Sequence, residues 1–179
     1  MPYGTNDALQ FLKSGKFTAQ PFVNFTGLIP LYSRNILKLF NLYSSVNYDT
    51  LRIQFSSNNG VTYDTGANYN YVGYQVQPGT GVEPVGQSLD NSAYIIYQAL
   101  NNDSAISTSG IVIELFQPTV TGQYMNFTGG GFGLNSGLSF VSQRIDGQYV
   151  GAPSLGVNAF RIFGQAGNLT GNYVLLGEI

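Results

Sequence analysis

The sequence predicts an all-β protein: a single antiparallel β-sandwich, jelly-roll-like, with about eight to ten short strands. Three observations lead there. Apolar runs and Gly/Asn/Pro-rich turns alternate along nearly the whole chain at sandwich spacing, with no strand-helix alternation that would imply a parallel sheet. Only 9% of the 179 residues are charged, against 23 glycines, 13 tyrosines and 12 phenylalanines, so Asn, Ser, Thr, Gln, Gly and Tyr must supply the surface instead of ion pairs. No fixed period recurs, which argues against a propeller or solenoid. The length suits one core, and the expected organisation is a lead-in or arm over residues 1–16 followed by one domain over 17–179.

Taken in order, FTAQPFVNFTG from Phe17 carries apolar residues with Pro21 inside, which points to an edge strand or a bulge. In Arg34 to Tyr43, Ile36, Leu37, Leu39, Phe40 and Leu42 fit both a short helix and a strand buried on two sides, and periodicity leaves the choice open. LRIQF sets Leu51, Ile53 and Phe55 opposite Arg52 and Gln54 and runs into Asn58-Asn59-Gly60, the residues of a tight hairpin turn, from which Tyr69 to Val76 returns. QPGTGVEPVGQ reads as a long loop. Four more strands are expected over Ser92 to Leu100, Gly110 to Phe116, Gln123 to Thr128 and Leu138 to Ile145, separated by turn formers. The chain ends in FRIFGQAGNLTGNYVLLGEI, read as a hairpin. Phe160, Ile162, Tyr173 and Leu175 can fill a core. Phe163, Val174 and Leu176 then form a second face too apolar for open water, a candidate subunit interface covered by a loop or another chain.

Composition also excludes chemistry. Without His or Cys there is no Ser-His-Asp or Cys-His nucleophile and no thiolate metal site. Most acids stand in turn contexts such as LDNS and NNDS, where Asx turns explain them better than calcium binding does, and Glu114 alone lies within a strand, where Arg144 or Arg161 could pair with it. No catalytic residue, no metal and no cofactor are therefore expected; a glycosidase using Glu114 and a loop acid is the weakest reading. A net charge of −2 disfavours nucleic acid, no apolar run approaches the roughly 20 residues of a membrane span, and no signal peptide is visible at the amino terminus. The feature most suggestive of binding is the tyrosine cluster Tyr63, Tyr69, Tyr71 and Tyr74, with Tyr94 and Tyr97 in a later run: candidate glycan or subunit contacts, although packing is the stronger reading. SSNNGVTY, Ser56 to Tyr63, resembles the Asp-box S-x-D-x-G-x-T-W, a structural hairpin, with Asn58 and Tyr63 in the Asp and Trp places.

The order ILKLFNL, LRIQFSSNNGVTYDTG, YVGYQV, SGIVIELFQP and the ending VNAFRIFGQAGNLTGNYVLLGEI resembles bacteriophage virion structural proteins and tail-fibre carboxy-terminal β-sandwich domains. The likeness runs over roughly Leu37 to Ile179. It departs from the pattern at Gln165-Ala166, and the lead-in Met1 to Tyr32 does not align. It implies a non-enzymatic virion component, assembled in the host cytoplasm, acting as a tail-fibre or adhesin module or as capsid decoration. Other virion proteins are the implied partners, and a homo-oligomer, with a trimer as one candidate state, is expected. The alternative is a carbohydrate-binding module reading host glycans through its tyrosines.

Overall fold

A computed structural model of the chain describes residues 9–28, 32–104, 109–116, 120–134, 139–151 and 156–179. These contain twelve strands and no α-helix: β1 (Leu9–Gln20), β2 (Val23–Thr26), β3 (Arg34–Ser44), β4 (Asp49–Ser56), β5 (Tyr69–Gln77), β6 (Gly81–Asp90), β7 (Ala93–Leu100), β8 (Ser109–Phe116), β9 (Met125–Leu134), β10 (Phe140–Tyr149), β11 (Ala159–Gly164) and β12 (Leu169–Glu178). They form an antiparallel β-sandwich of two unequal sheets, one of eight strands ordered β1-β12-β3-β8-β9-β10-β5-β6 and one of four ordered β2-β11-β4-β7.

The core lies between the sheets and follows the two-residue period of the strands. Leu37 and Leu39 of β3, Ile111 and Ile113 of β8, Phe127 of β9 and Ile145 of β10 face Phe25, Leu51, Ile53, Phe55, Ile95, Phe160 and Ile162 from the smaller sheet, all buried. Aromatic rings dominate its two ends. Phe25 stacks on Phe160 at 4.7 Å and meets Tyr173 edge-on at 5.1 Å, while Phe55 sits among Tyr69, Phe127 and Tyr149 at 5.3 to 5.7 Å. Such close packing needs absences too: a Cβ on Gly129 would stand 2.9 Å from the Ile95 Cδ1, so the glycine lets β9 lie flat under β7.

The ambiguous segment over Arg34 to Tyr43 is β3, an interior strand flanked by β12 and β8. Its unbroken apolar run is that of a strand buried on both faces, since Ile36 on the outer side is as hidden as Leu37 on the inner. Pro21 lies with Phe22 in the link between β1 and β2, each an edge strand, where a missing N–H costs no ladder bond.

Two expected connections are different in kind. β4 and β5 do not pair. Asn59 and Gly60 do adopt positive φ, 57° and 84°, but the chain then crosses from the smaller to the larger sheet. The carboxy-terminal hairpin is likewise a crossover: β11 pairs with β2 and β4, and β12 pairs with β1 and β3. Turn residues specify a reversal, and the reversal here spans the thickness of the sandwich rather than one inter-strand gap.

Two strands were not expected at all. Leu9 to Lys16, read as a lead-in, are the first part of β1 on β12, and the supposed loop QPGTGVEPVGQ is the turn and most of β6, paired with β5. Residues 1–8 lie outside the described residues. Strand β9 also runs on through GGGFG to Leu134, beyond the Thr128 expected as its end.

Candidate interaction surface

The sequence-predicted site residues do not assemble into one site. Tyr69 is buried at the heart of the fold; its hydroxyl accepts from the Phe55 N–H at 2.9 Å and donates to the Asp64 carbonyl at 3.0 Å, and burial pushes its ionisation far up. Tyr71 is also buried and donates to the Asp90 Oδ2 at 3.0 Å, beneath a chain of rings formed with Tyr94 and Tyr97 at 5.1 and 5.4 Å. Asp90 is further bound by Arg52 at 2.8 Å and by the Asn91 N–H at 2.7 Å, so the LDNS carboxylate ties β4 to the β6–β7 turn. Neither tyrosine offers a face to a sugar.

Tyr63 and Phe163 meet on the outer side of the smaller sheet, around Arg161. Its guanidinium lies 4.2 Å from the Phe22 ring centre, 4.5 Å from Tyr63 and 5.8 Å from Phe163, and its Nε and Nη2 donate to the Gln54 Oε1 at 2.9 and 2.6 Å. Burial pulls the Arg161 pKa down, and the neighbouring Tyr63 and Tyr69 oppose that pull. Phe163 is thus half-buried by its own chain, through Phe22 at 5.6 Å and the Arg161 guanidinium. Val174 and Leu176 sit on the opposite side of the molecule, half-buried on the outer face of the larger sheet, with Leu176 between Phe11 and Ile36 in register. The expected Phe163, Val174 and Leu176 interface is therefore divided between two faces, because β11 and β12 belong to different sheets.

The Asp-box-like stretch has a structural geometry. The Ser56 Oγ accepts from the Gly60 N–H at 3.0 Å and donates to the Asn58 Oδ1 at 2.8 Å, and the same Oδ1 accepts from the Thr62 N–H at 2.9 Å. Asp64 follows, accepting from the Tyr149 hydroxyl at 2.7 Å, the Gly66 N–H at 2.7 Å and the Asn68 amide at 2.8 Å. Burial alone would raise its pKa, but these three donors outweigh burial and hold it below the ordinary carboxylate value of 3.8. A depressed folded pKa stabilises the fold fully above that value and loses the contribution as pH falls through the folded pKa. Wild-type stability is accordingly expected to fall as the pH drops below 3.8, with Asp64→Asn less stable at neutral pH and flatter across that window; chemical denaturation at a series of pH values reads both.

Glu114 lies on the outer face of the larger sheet and pairs with Arg34 at 3.3 Å, not with Arg144 or Arg161; Arg34 also holds Glu178. It forms one wall of a shallow trough of about 240 Å³ over the glycines of β9, whose other lining residues include Val112, Thr128, Gly130 and Arg144. No second carboxylate is among the lining residues, so the pair that glycoside hydrolysis uses is not gathered here.

Beside the trough lies a surface of which the sequence points only to Tyr74. Alternation in β5 sends Tyr69 and Tyr71 inward and Val72, Tyr74 and Val76 outward. Val72 is 67% exposed and Tyr74 46%, and they continue onto Val82, 67% exposed, and Pro84 of the edge strand β6. Phe132 and Phe140, stacked at 6.0 Å and both exposed, lie at one end of β9 and β10. Set within this apolar field are the charges of β10, Arg144 and Asp146, on the same face and only 3.4 Å apart, with side chains 60% and 56% exposed. The signal was present in YNYVGYQV as apolar residues at alternate positions. Both phases of that strand are apolar, however, and its tyrosines fall on both, Tyr69 and Tyr71 inward and Tyr74 outward.

No family model matches the chain, and no curated protein or solved structure matches it either.

Proposed function

We propose that the chain is a non-enzymatic structural protein of a bacteriophage particle, a tail-fibre or adhesin module or a capsid decoration protein, that works by packing against other virion subunits. The observation that carries the reading is the apolar outer face of the larger sheet, Val72, Tyr74, Val76, Val82 and Pro84, on a chain so poor in charge. Contiguous exposed apolar surface of this kind marks association rather than solvent-facing surface. The likeness of the strand sequences to virion β-sandwiches supplies the class of assembly. The glycan-binding alternative loses its base as a cluster, since Tyr69 and Tyr71 are core residues and Tyr63 and Tyr74 stand on different faces.

The test is direct. In particles purified from a lysate of cells that produce the chain, mass spectrometry is expected to find it at a fixed ratio to the major capsid or tail protein, and antibody labelling under the electron microscope to place it at one location. Its absence from purified particles, or specific hydrolase activity in the purified monomer, overturns the proposal.

A further inference from the structure

We infer that the outer face of the eight-stranded sheet is the contact surface of a two-fold symmetric dimer, in which Arg144 of each copy lies over Asp146 of the other. This goes beyond the virion reading by naming the partner, a second copy of this chain, and the surface it covers.

Strand register defines two adjacent rows across the outer face. One reads Pro84, Tyr74, Arg144, Gly130, Val112 from β6 to β8, because Arg144 stands opposite both Tyr74 and Gly130, Tyr74 opposite Pro84 and Gly130 opposite Val112. The next reads Gly86, Val72, Asp146, Thr128, Glu114 by the same pairings. A two-fold axis lying in the contact plane, at right angles to the strands and midway between Arg144 and Asp146, places each row over the other row of the second copy. The match is complementary twice over. In charge, Arg144 meets Asp146 and Asp146 meets Arg144. In volume, Pro84 meets Gly86 and the bare Gly130 receives Thr128, while Tyr74 lies over Val72 and Val112 over Glu114.

A face-to-face contact of this kind is the ordinary stacking of two sheets about 10 Å apart. The strip from β6 to β8 is about 20 Å wide, five strands at about 4.8 Å spacing. An isologous interface requires a patch to be complementary to itself, which a uniformly charged patch or one of uniformly large side chains would not be. Within one copy, Arg144 and Asp146 hold each other only through long 3.4 Å contacts on an exposed surface. Such a pair contributes little to the monomer and is free to exchange partners across the axis. Electrostatic complementarity of this sort fixes the register of an interface more than it adds affinity.

The experiment is sedimentation velocity on the full chain across a concentration series, with circular dichroism to confirm that each variant is folded. The wild type is expected to show a reversible monomer-dimer equilibrium. Because each substitution acts twice across the axis, Arg144→Asp and Asp146→Arg should each weaken the dimer about 10- to 100-fold, and the double variant R144D/D146R should return to within about threefold of wild type. Tyr74→Lys should abolish the dimer. A wild type that stays monomeric at the highest concentration, a dimer indifferent to both single reversals, or single losses that the double exchange does not rescue would each overturn the inference. A monomer that nonetheless labels particles defeats this inference and leaves the virion reading standing. A charge-rescued dimer absent from particles does the reverse.

Discussion

Asp49→Ala is expected to cost about 3–5 kcal/mol of stability, the largest effect of any polar substitution among the described residues. Asp49 is a buried carboxylate at the start of β4, and four donors converge on it. The Ser44 hydroxyl and the Gly167 N–H bind Oδ2 at 2.6 and 3.1 Å, and the Thr50 and Ala166 N–H groups bind Oδ1 at 2.9 and 3.0 Å. Two of the four belong to the loop between β11 and β12. That loop is also fixed by the Gln165 N–H to the Thr50 carbonyl at 3.0 Å and by a reciprocal pair between Ser45 and Asn168 at 2.9 Å. Asp49 is therefore what fastens the crossover from one sheet to the other onto the β3–β4 corner. Removing it leaves buried donors without acceptors, which costs more than the bonds themselves contributed. For a domain of this length the midpoint of thermal unfolding should fall by about 10 °C. Asp49→Asn, which keeps one acceptor oxygen, should lose about half as much. Hydrogen exchange supplies the specific check: the amides of Ala166 and Gly167 should lose protection well before those of β8 and β9. Uniform loss across the sandwich would show that Asp49 does not act through the crossover.

Gln143→Leu ranks second, at about 2–3 kcal/mol. Gln143 points inward from β10 and is almost wholly buried, bonded to Gln75 of the neighbouring strand β5 and, across the core, to the backbone of Tyr97 in the other sheet. Its Oε1 accepts from the Tyr97 N–H at 2.6 Å, and its Nε2 donates to the Tyr97 carbonyl at 2.6 Å and to the Gln75 Oε1 at 2.8 Å. One side-chain amide thus satisfies both backbone groups of an edge-strand residue at the point where β7 is irregular, its register with β4 slipping between Leu51 and Arg52 and Gln98 taking a φ of 49°. Leucine would fill the volume and leave three polar atoms stranded in a low-dielectric interior. Gln143→Glu makes the sharper comparison. Its carboxylate can accept from Tyr97 but faces a carbonyl and the Gln75 oxygen, so burial and those acceptors raise its folded pKa. It should be most destabilised at neutral pH and recover part of its stability in acid, where the protonated group donates again. Urea unfolding at two pH values reads the difference as a shift of midpoint at constant slope. Equal stability at both would mean that the amide's donor role is negligible.

Both positions bear on what a sequence can reveal. Glutamine inside a strand that reads LSFVSQRI looks like a surface residue, since nothing local says that its phase points inward or that a backbone in the other sheet awaits it. Asp49, in NYDT, looks like any turn acid. Gln143 finds Tyr97 and Gln75 more than forty positions away, and Asp49, besides the nearby Ser44 and Thr50, takes Ala166 and Gly167 from more than a hundred away, and no window of neighbouring residues carries that information.

What the sequence alone determined was the class of fold and the position of most strands, because alternation of apolar and polar residues is a local property that any sheet must express in order to bury one face. The structural character of the Asp-box-like turn was equally legible, since Ser56, Asn58 and Thr62 satisfy one another within a few residues. Tertiary structure alone decided which strands are partners. It made the two apparent hairpins into crossovers, turned Leu9 to Lys16 of the lead-in and the Gly/Pro-rich stretch into parts of the two edge strands β1 and β6, and scattered the tyrosines between core and surface. Edge strands bury little and so carry almost no apolar pattern. Pairing and facing are properties of the whole assembled sheet, chosen by the packing of distant side chains, and a chain with greasy residues on both faces of a strand leaves that choice to the fold.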